Sequence, residues 1–589
     1  MVKKVIFCLS EALFHAWQNA VSGGVKRCFN KMKRRSILPK RRFSSDQINT
    51  LRNRYIIRLK ITLFHNFGAA NLQFEHTFFQ SKAHSEQHFF KKSKKKKHSL
   101  CKKNDSFANE ITLKNQIIMT EKLTKLLNDS PVARWSALIL IALMMFFGYM
   151  FVDVMSPIQA LMESQRGWTP DIFGTYAASE YILNVCGFLI IAGVILDKMG
   201  VRFTGELSAS MMFAGAVIKY IGITEWFQTT AFADWLNTWW VSMPASAKMA
   251  SLGFMLFGCG CEMAGTTVSK AIAKWFKGKE MALAMGLEMA IARVGVFAIF
   301  SISPIIADKF GTVVAPVAFC TVLLLIGLIT FTVFTFMDKK LDSQLGEDAG
   351  EEASDEEFKF SDLGKILSSQ VFWIVALLCV LYYSAIFPFQ RYGANMLQCN
   401  LDGITAEAAS NIFRWFPIGA AVITPFLGNF LDRKGKGATM LIGGALLLIC
   451  CHLIFAFILP ETKSALLAYS TIVLLGISFA LVPAALWPSV PKIIDEKVLG
   501  SAYCLIFWVQ NIGLCFVPKL IGNILTSTNE DNPAVIAAKQ AGSDFIPYDY
   551  TVPLVVFAGF GILALIIAIY LKAVDKKRGY GLEEPNIKS

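Results

Sequence analysis

The stretches GVILDKMGVR (Gly193–Arg202) and GNFLDRKGKG (Gly428–Gly437) are the same turn written twice. Each sets an aspartate four residues after a glycine, a basic residue beside it, then a second glycine and another basic residue. The first copy supplies Gly193, Asp197, Lys198, Gly200 and Arg202, and the second Gly428, Asp432, Arg433 and Gly435. Glycine permits a tight turn and close helix approach. The aspartate can bond a helix N-terminus or a basic partner, and such a bond would latch one conformation. A single copy says little, because Gly-Asp-Gly turns are common; two copies at matching places define an internal repeat.

Around each copy lie apolar runs near twenty residues, the length a helix needs to cross roughly 30 Å of hydrocarbon. They fall at 136–157, 173–196, 203–223, 249–271, 281–303 and 312–336, and again at 370–390, 408–431, 438–459, 466–490, 500–523 and 552–572. Each copy of the turn follows the second span of its set. The expected fold is an all-α membrane protein with twelve transmembrane helices in two pseudo-symmetric six-helix bundles. The expected units are a basic, disordered extension (1–118), one bundle (119–336), an acidic cytoplasmic linker (337–366), a second bundle (367–573) and a cytoplasmic tail (574–589).

Composition agrees: 54% of residues are hydrophobic, 17% are charged and 48 are phenylalanine, the profile of a polytopic membrane protein. The net charge of +15 is uneven, since residues 1–118 hold 25 Lys+Arg against 6 Asp+Glu and the rest is net acidic. That extension reads either as a basic arm for lipid or nucleic acid, or as a disordered or upstream-translated segment with initiation at Met119. Its composition favours the second reading, and it lacks a signal-peptide layout. The cysteines are scattered through the spans as small packing residues, with no metal or disulfide framework.

Basic residues near the spans gather on one side: Lys198 and Arg202; Lys274, Lys277 and Lys279; Arg433, Lys434 and Lys436; Lys492 and Lys497; Lys572 to Arg578. That side is expected to be cytoplasmic, with both termini inside. Of the opposite loops, 224–246 is rich in tryptophan and suits an interfacial helix, and 527–550 is polar and expected to be exposed.

GCGCEMAG (Gly258–Gly265) puts Glu262 in the fourth span and MAIARVG puts Arg293 in the fifth. At 1.5 Å per residue the two lie roughly 20 Å and roughly 18 Å from their span entrances, near mid-membrane. A charge there costs about 3 kcal/mol unless it faces a partner or a wet cavity. The pair therefore reads either as a structural ion pair or, preferred here, as cavity-lining groups shared with a substrate. Asp153 and Glu180, in the outer halves of their spans where water has access, and Glu288 are candidate proton sites. Arg414 is expected to snorkel outward. Tyr382 and Tyr383 are consecutive, so at most one faces the cavity squarely.

With its duplicated turns the chain resembles the major facilitator superfamily, which implies two bundles rocking about a midplane site. KWFKGKEMALAMGLEMAIARVG, LYYSAIFPF (Leu381–Phe389), AALWPSV (Ala484–Val490) and LGSAYCLIFWVQNIGL (Leu499–Leu514) are similar to its lysosomal dipeptide transporter branch. The resemblance implies that Glu262 holds a dipeptide's ammonium and Arg293 its carboxylate; Tyr382, Tyr383 and Trp487 are expected to offer loose apolar walls, with Asn511 in the same site. The expected activity is alternating-access transport of dipeptides, without cofactor or metal. An organic-anion (oxalate/formate-type) exchanger and a non-transporting sensor or scaffold are the alternatives. The expected partners are the small solute and the bilayer, not nucleic acid, and the expected state is a monomer. The foreign loops and the absence of a lysosomal sorting signal place it in a cell (inner) membrane. No nucleotide-binding glycine loop or metal cluster suggests an enzyme.

Overall fold

Inside a hydrocarbon layer each backbone N–H and C=O has to be satisfied within its own segment, so long apolar runs fold as helices. The computed structural model describes residues 126–239, 241–345, 364, 366–494 and 499–585, which are helical with no strand among them. The first half comprises α1 (Pro131–Asp153), α2 (Pro170–Leu183), α3 (Leu189–Ile223), α4 (Ala245–Phe276), α5 (Met281–Phe310) and α6 (Val314–Leu345). The second comprises α7 (Gln370–Asn400), α8 (Ala406–Phe413), α9 (Trp415–Lys434), α10 (Gly437–Leu453), α11 (Ala465–Ile493), α12 (Leu499–Thr528) and α13 (Thr551–Arg578). The basic extension and most of the acidic linker lie outside the described residues.

The repeated turns do at the backbone what their glycines suggest. Gly200, at φ 75° and ψ 175°, breaks α3 into two helices. Arg202, just beyond it, bonds Asp342 near the end of α6, while the Ile223 carbonyl accepts from Arg166 (2.8 Å) at the opposite end. Gly435 takes φ 71° to end α9 in the second copy. These ends define a linker face, which carries both turns, and a far face.

Among the described residues nine helical stretches are long and apolar enough to cross a membrane. The three expected spans that do not score separately have identifiable causes. Spans 173–196 and 203–223 join in one stretch, Pro170–Ile223, broken at Gly200. In α4, Glu262 and the glycines dilute the apolar run. Span 408–431 is divided at Arg414 between α8 and α9. Conversely, α6 runs on to Leu345, because Asp338 and Asp342, one turn apart, meet Lys274 (2.8 and 2.5 Å) and Arg202 on the linker face.

Small residues set the closest packing. A Cβ on Gly215 would meet the Gly253 carbonyl oxygen at 2.4 Å, and one on Gly253 the Gly215 carbonyl at 2.5 Å, so α3 and α4 touch backbone to backbone. In 224–246, the helix Ala231–Thr238 and the residue that follows it expose Phe232, Trp235 and Trp239 as a stacked row with centroids 5.6 and 5.5 Å apart. Segment 527–550 is exposed over most of its length, as its polarity suggests, but its end is anchored. It folds back over the far face, where Tyr548 and Tyr550 are buried and donate to Glu163 (2.5 Å) and Asn395 (2.5 Å).

The bonds that join the halves gather toward the far face. Tyr392 Oη donates to the carbonyls of Pro170 (3.1 Å) and Pro518 (3.0 Å), and Ser410 to that of Phe300 (2.5 Å). Gly174 and Gly522 let α2 and α12 close there: a Cβ on either would lie 2.4 or 2.3 Å from a carbonyl oxygen of the other helix. Nearer the middle, a wide turn at Asn184–Phe188 holds Gly187 at φ 106°, and Trp508 Nε1 donates to Val185 O (2.9 Å). The halves are thus closed against each other at the far face.

Candidate functional site

The glycines of GCGCEMAG place Glu262. A Cβ on Gly258 would sit 2.0 Å from the Glu180 carbonyl oxygen and one on Gly260 2.7 Å from that of Ser208, so α4 is drawn tightly onto α2 and α3. One turn further on, Glu262 is half-buried and has no hydrogen-bond or ion-pair partner among the described residues. A carboxylate held on a rigid helix without a protein partner is free to accept from a solute's ammonium group.

Arg293, on α5, is likewise half-buried, and it forms no ion pair among the described residues, with Glu262 or any other carboxylate. Its guanidinium lies over the rings of Phe479 (4.7 Å) and Phe387 (5.9 Å), both from the second half. Such contacts contribute about 0.5–2 kcal/mol each and leave the N–H groups in the guanidinium plane available to a carboxylate. The rings belong to an aromatic wall. Tyr383 stacks on Phe387 (5.5 Å) and accepts from Trp487 Nε1 (3.3 Å), and Trp487 stacks on Phe507 (4.8 Å). Tyr149 of α1 is half-buried and feels the charges of Arg293, Glu288 and Glu262.

The structure therefore brings Arg293, Tyr383 and Trp487 together, adding Phe387, Phe479 and Phe507, while Glu262 stands on α4 without a bond to any of them among the described residues. Tyr382 is turned away: it is fully buried, its hydroxyl on the Ser478 carbonyl (2.5 Å). Asn511 is buried too, donating to Phe507 O (3.1 Å) behind the wall. Arg414 does not snorkel outward; it donates to Ser301 Oγ (3.1 Å) and covers Phe297, because α5 lies directly beside it. Glu288 is buried on α5 without a hydrogen-bond partner among the described residues.

Asp153 and Glu180 stand differently from the water-accessible carboxylates expected. They are 1% and 4% exposed, and both are bound by Arg391 of α7, Asp153 at 2.9 Å. Gln390 adds a bond to Asp153 (2.6 Å). The apolar run that marks the seventh span stops at residue 390 and so leaves Arg391 outside; the helix continues to Asn400 and carries it inward. Lys219 is a further functional candidate that the sequence analysis does not single out, although a lysine within GAVIKYIGI is a charge inside an apolar run. In the repeated turns, Asp197 pairs with Lys270 (2.7 Å), Arg202 with Asp342 and Asp338, and Lys198 is exposed. Gly193 and Gly428 leave open space where a side chain would stand, whereas Gly435 backs onto the Glu583 carbonyl at 2.3 Å. Asp432 and Arg433 close the last turn of α9.

A family model described as the Major Facilitator Superfamily matches residues 138–518. The chain belongs to that superfamily. Among superfamily relatives it is 27% identical over 345 residues to the lysosomal dipeptide transporter MFSD1 of Homo sapiens, covering 57% of this chain and 68% of that protein. With the same transporter of Gallus gallus it shares 27% over 331 residues, 55% of this chain and 71% of the other. A solved D-xylose–proton symporter superposes with a TM-score of 0.53 at 13% identity, over 74% of this chain and 97% of the symporter. The nucleoside transporter NupG superposes with a TM-score of 0.53 at 11% identity, over 74% and 98%. At those identities the structures show the superfamily fold alone. As a superfamily member the chain is a multi-pass membrane protein and a secondary transporter.

Proposed function

We propose that this transporter moves small zwitterions, dipeptides foremost, by rocker-switch alternating access across twelve spans. Glu262 takes the ammonium end and Arg293 the carboxylate end, while Tyr383 and Trp487 offer an apolar wall tolerant of varied side chains. The observation that carries the reading is that two opposite charges stand at mid-span depth, neither of them in an ion pair among the described residues. Burial without compensation is costly unless a ligand supplies the missing charge, and a zwitterion supplies both signs at once. The similar proteins named as dipeptide transporters support the same substrate class. Asp197 with Lys270, and Arg202 with Asp342, serve in this reading as latches of the linker face, which is cytoplasmic together with both termini. The host membrane in the proposal is a cell (inner) membrane, although the named relatives are lysosomal.

The test is ligand-induced thermal stabilisation of purified protein against dipeptides, free amino acids and organic acids, repeated on Glu262→Gln and Arg293→Ala. A ligand at a hundred times its Kd stabilises by about 2.7 kcal/mol. Stabilisation by dipeptides, removed by both substitutions, is the expected result. Stabilisation by acids alone, indifferent to Glu262→Gln, would replace the reading with an organic-anion exchanger.

A further inference from the structure

Behind the far-face closure lies a second cation that the transport site does not use. Lys219 of α3 is 0% exposed, and its Nζ has no hydrogen-bond partner among the described residues. A buried ammonium without an acceptor is costly. What surrounds it is a cage of ring faces: Phe151 at 4.2 Å, Phe254 at 4.6 Å and Tyr176 at 5.0 Å from the nitrogen. The position is rigid, because the Gly253 approach brings α4 to within 2.5 Å of the Lys219 backbone nitrogen, measured to a Cβ built on that glycine.

The cage adjoins the closure. Phe254 carries Lys219 on its ring and also lies under the Arg391 guanidinium, 5.7 Å from the centroid. Tyr176, stacked on Phe254 at 4.7 Å, is one helical turn from Glu180. Phe151 is two residues before Asp153. The charged groups acting on Lys219 are Arg391, Glu180 and Asp153. Two anions and two cations thus occupy one buried cluster, and the ownership is unequal: Asp153, Glu180 and Lys219 belong to the first half, Arg391 to the second. In the closed state Arg391 takes both carboxylates and Lys219 is left on the rings.

We propose that Lys219 is the replacement counter-ion of this closure. When the far face opens, Arg391 withdraws with α7, and the Lys219 ammonium moves from its ring faces onto Glu180 and Asp153. Without it, opening would strand two carboxylates in the first half; with it, one cation remains to share between them. The rings hold the ammonium by a weak, non-directional attraction, which suits a group that is to be released. Lys219 is therefore a positioning residue of the conformational cycle. This rests on the alternating-access component of the proposed function and is independent of the substrate.

The experiment is hydrogen–deuterium exchange on the full chain in lipid nanodiscs without solute, following peptides over 153–170 and 391–405 in wild type, Lys219→Met and Lys219→Met/Glu180→Gln. Lys219→Met is expected to lock the far face shut, slowing exchange there by about tenfold or more, as a stranded buried charge disfavours opening. Adding Glu180→Gln restores the wild-type charge count of the first half, and exchange should return toward wild type. Far-face exchange at the wild-type rate in Lys219→Met would overturn the proposal. If Lys219→Met instead melts early and exchanges everywhere, the double variant decides: recovery upholds the charge role, and none refutes it. A failed dipeptide panel alongside these exchange results would remove the substrate assignment and leave Lys219 standing.

Discussion

Replacing Arg391 with methionine removes the cation that binds two buried carboxylates across the halves. Arg391 is 8% exposed at its side chain, Asp153 1% and Glu180 5%, so solvent does little to screen what is left. Breaking a buried pair by deleting one partner costs about 3–5 kcal/mol. The low end applies here, because Gln390 still donates to Asp153 at 2.6 Å and Lys219 lies close by. Arg391 also donates to the Val152 carbonyl, so α1 loses a main-chain bond as well. All of this falls on the closed conformation. At about 1.4 kcal/mol per factor of ten, closure weakens roughly a hundredfold. Amide exchange over 391–400 should accelerate accordingly, with the second-half core around α10 and α13 unchanged. The triple variant Arg391→Met, Asp153→Asn, Glu180→Gln strands no charge and should recover most of the protection, since removing a whole buried ion cluster is often neutral. Wild-type protection in the single variant, or equal loss in single and triple, would refute this account of the closure.

Two further substitutions test how the site is held. Gly258→Ala puts a methyl 2.0 Å from the Glu180 carbonyl, so α2 and α4 are forced away from each other a single turn before Glu262; melting should fall by the equivalent of about 1–3 kcal/mol, whereas Gly265→Ala, with nothing within 4 Å, should not change it. Equal melting of the two variants would discount the close approach. Asp338→Asn removes the buried charge facing Lys274 (2.8 Å) and Arg202 (3.6 Å) but keeps a polar partner for Trp275 Nε1; a loss of about 1.5–3 kcal/mol is expected in denaturant titration, and an unchanged midpoint counts against it.

Much of this is legible in the sequence because the signals are local. The duplicated Gly-Asp-Gly turns need only their spacing, and at Gly200 and Gly435 the chain uses the positive φ that glycine permits. Glu262 and Arg293 stand out as charges deep inside long apolar runs. What escapes depends on where helices end and what crosses between them. Arg391 is lost with ten residues of helix, because a run of apolar letters stops before a polar helix face does. Tyr382 and Tyr383 cannot be ranked from sequence, since a backbone carbonyl at Ser478 and an indole at Trp487 decide between them. The burial of Tyr548 and Tyr550 depends on acceptors from distant segments, Glu163 and Asn395, that no local pattern announces.

The bonds between the halves are lopsided in a way that bears on mutational tolerance. The side-chain donors Gln390, Arg391, Tyr392, Ser410, Arg414, Trp508, Thr526 and Tyr548 all come from the second half. Many of their acceptors in the first half are main-chain carbonyls, at Val152, Pro170, Val185 and Phe300. A carbonyl survives almost any substitution of the residue that bears it, whereas a donor does not. In the first half, drift at Val152, Pro170, Val185 and Phe300 can therefore leave those bonds intact, whereas Asp153, Glu163, Glu180 and Ser301 accept through their side chains and are confined like the donors. A deep mutational scan of the far face should find Val152, Val185 and Phe300 more tolerant than the second-half donors Arg391, Trp508 and Ser410 that bond to them.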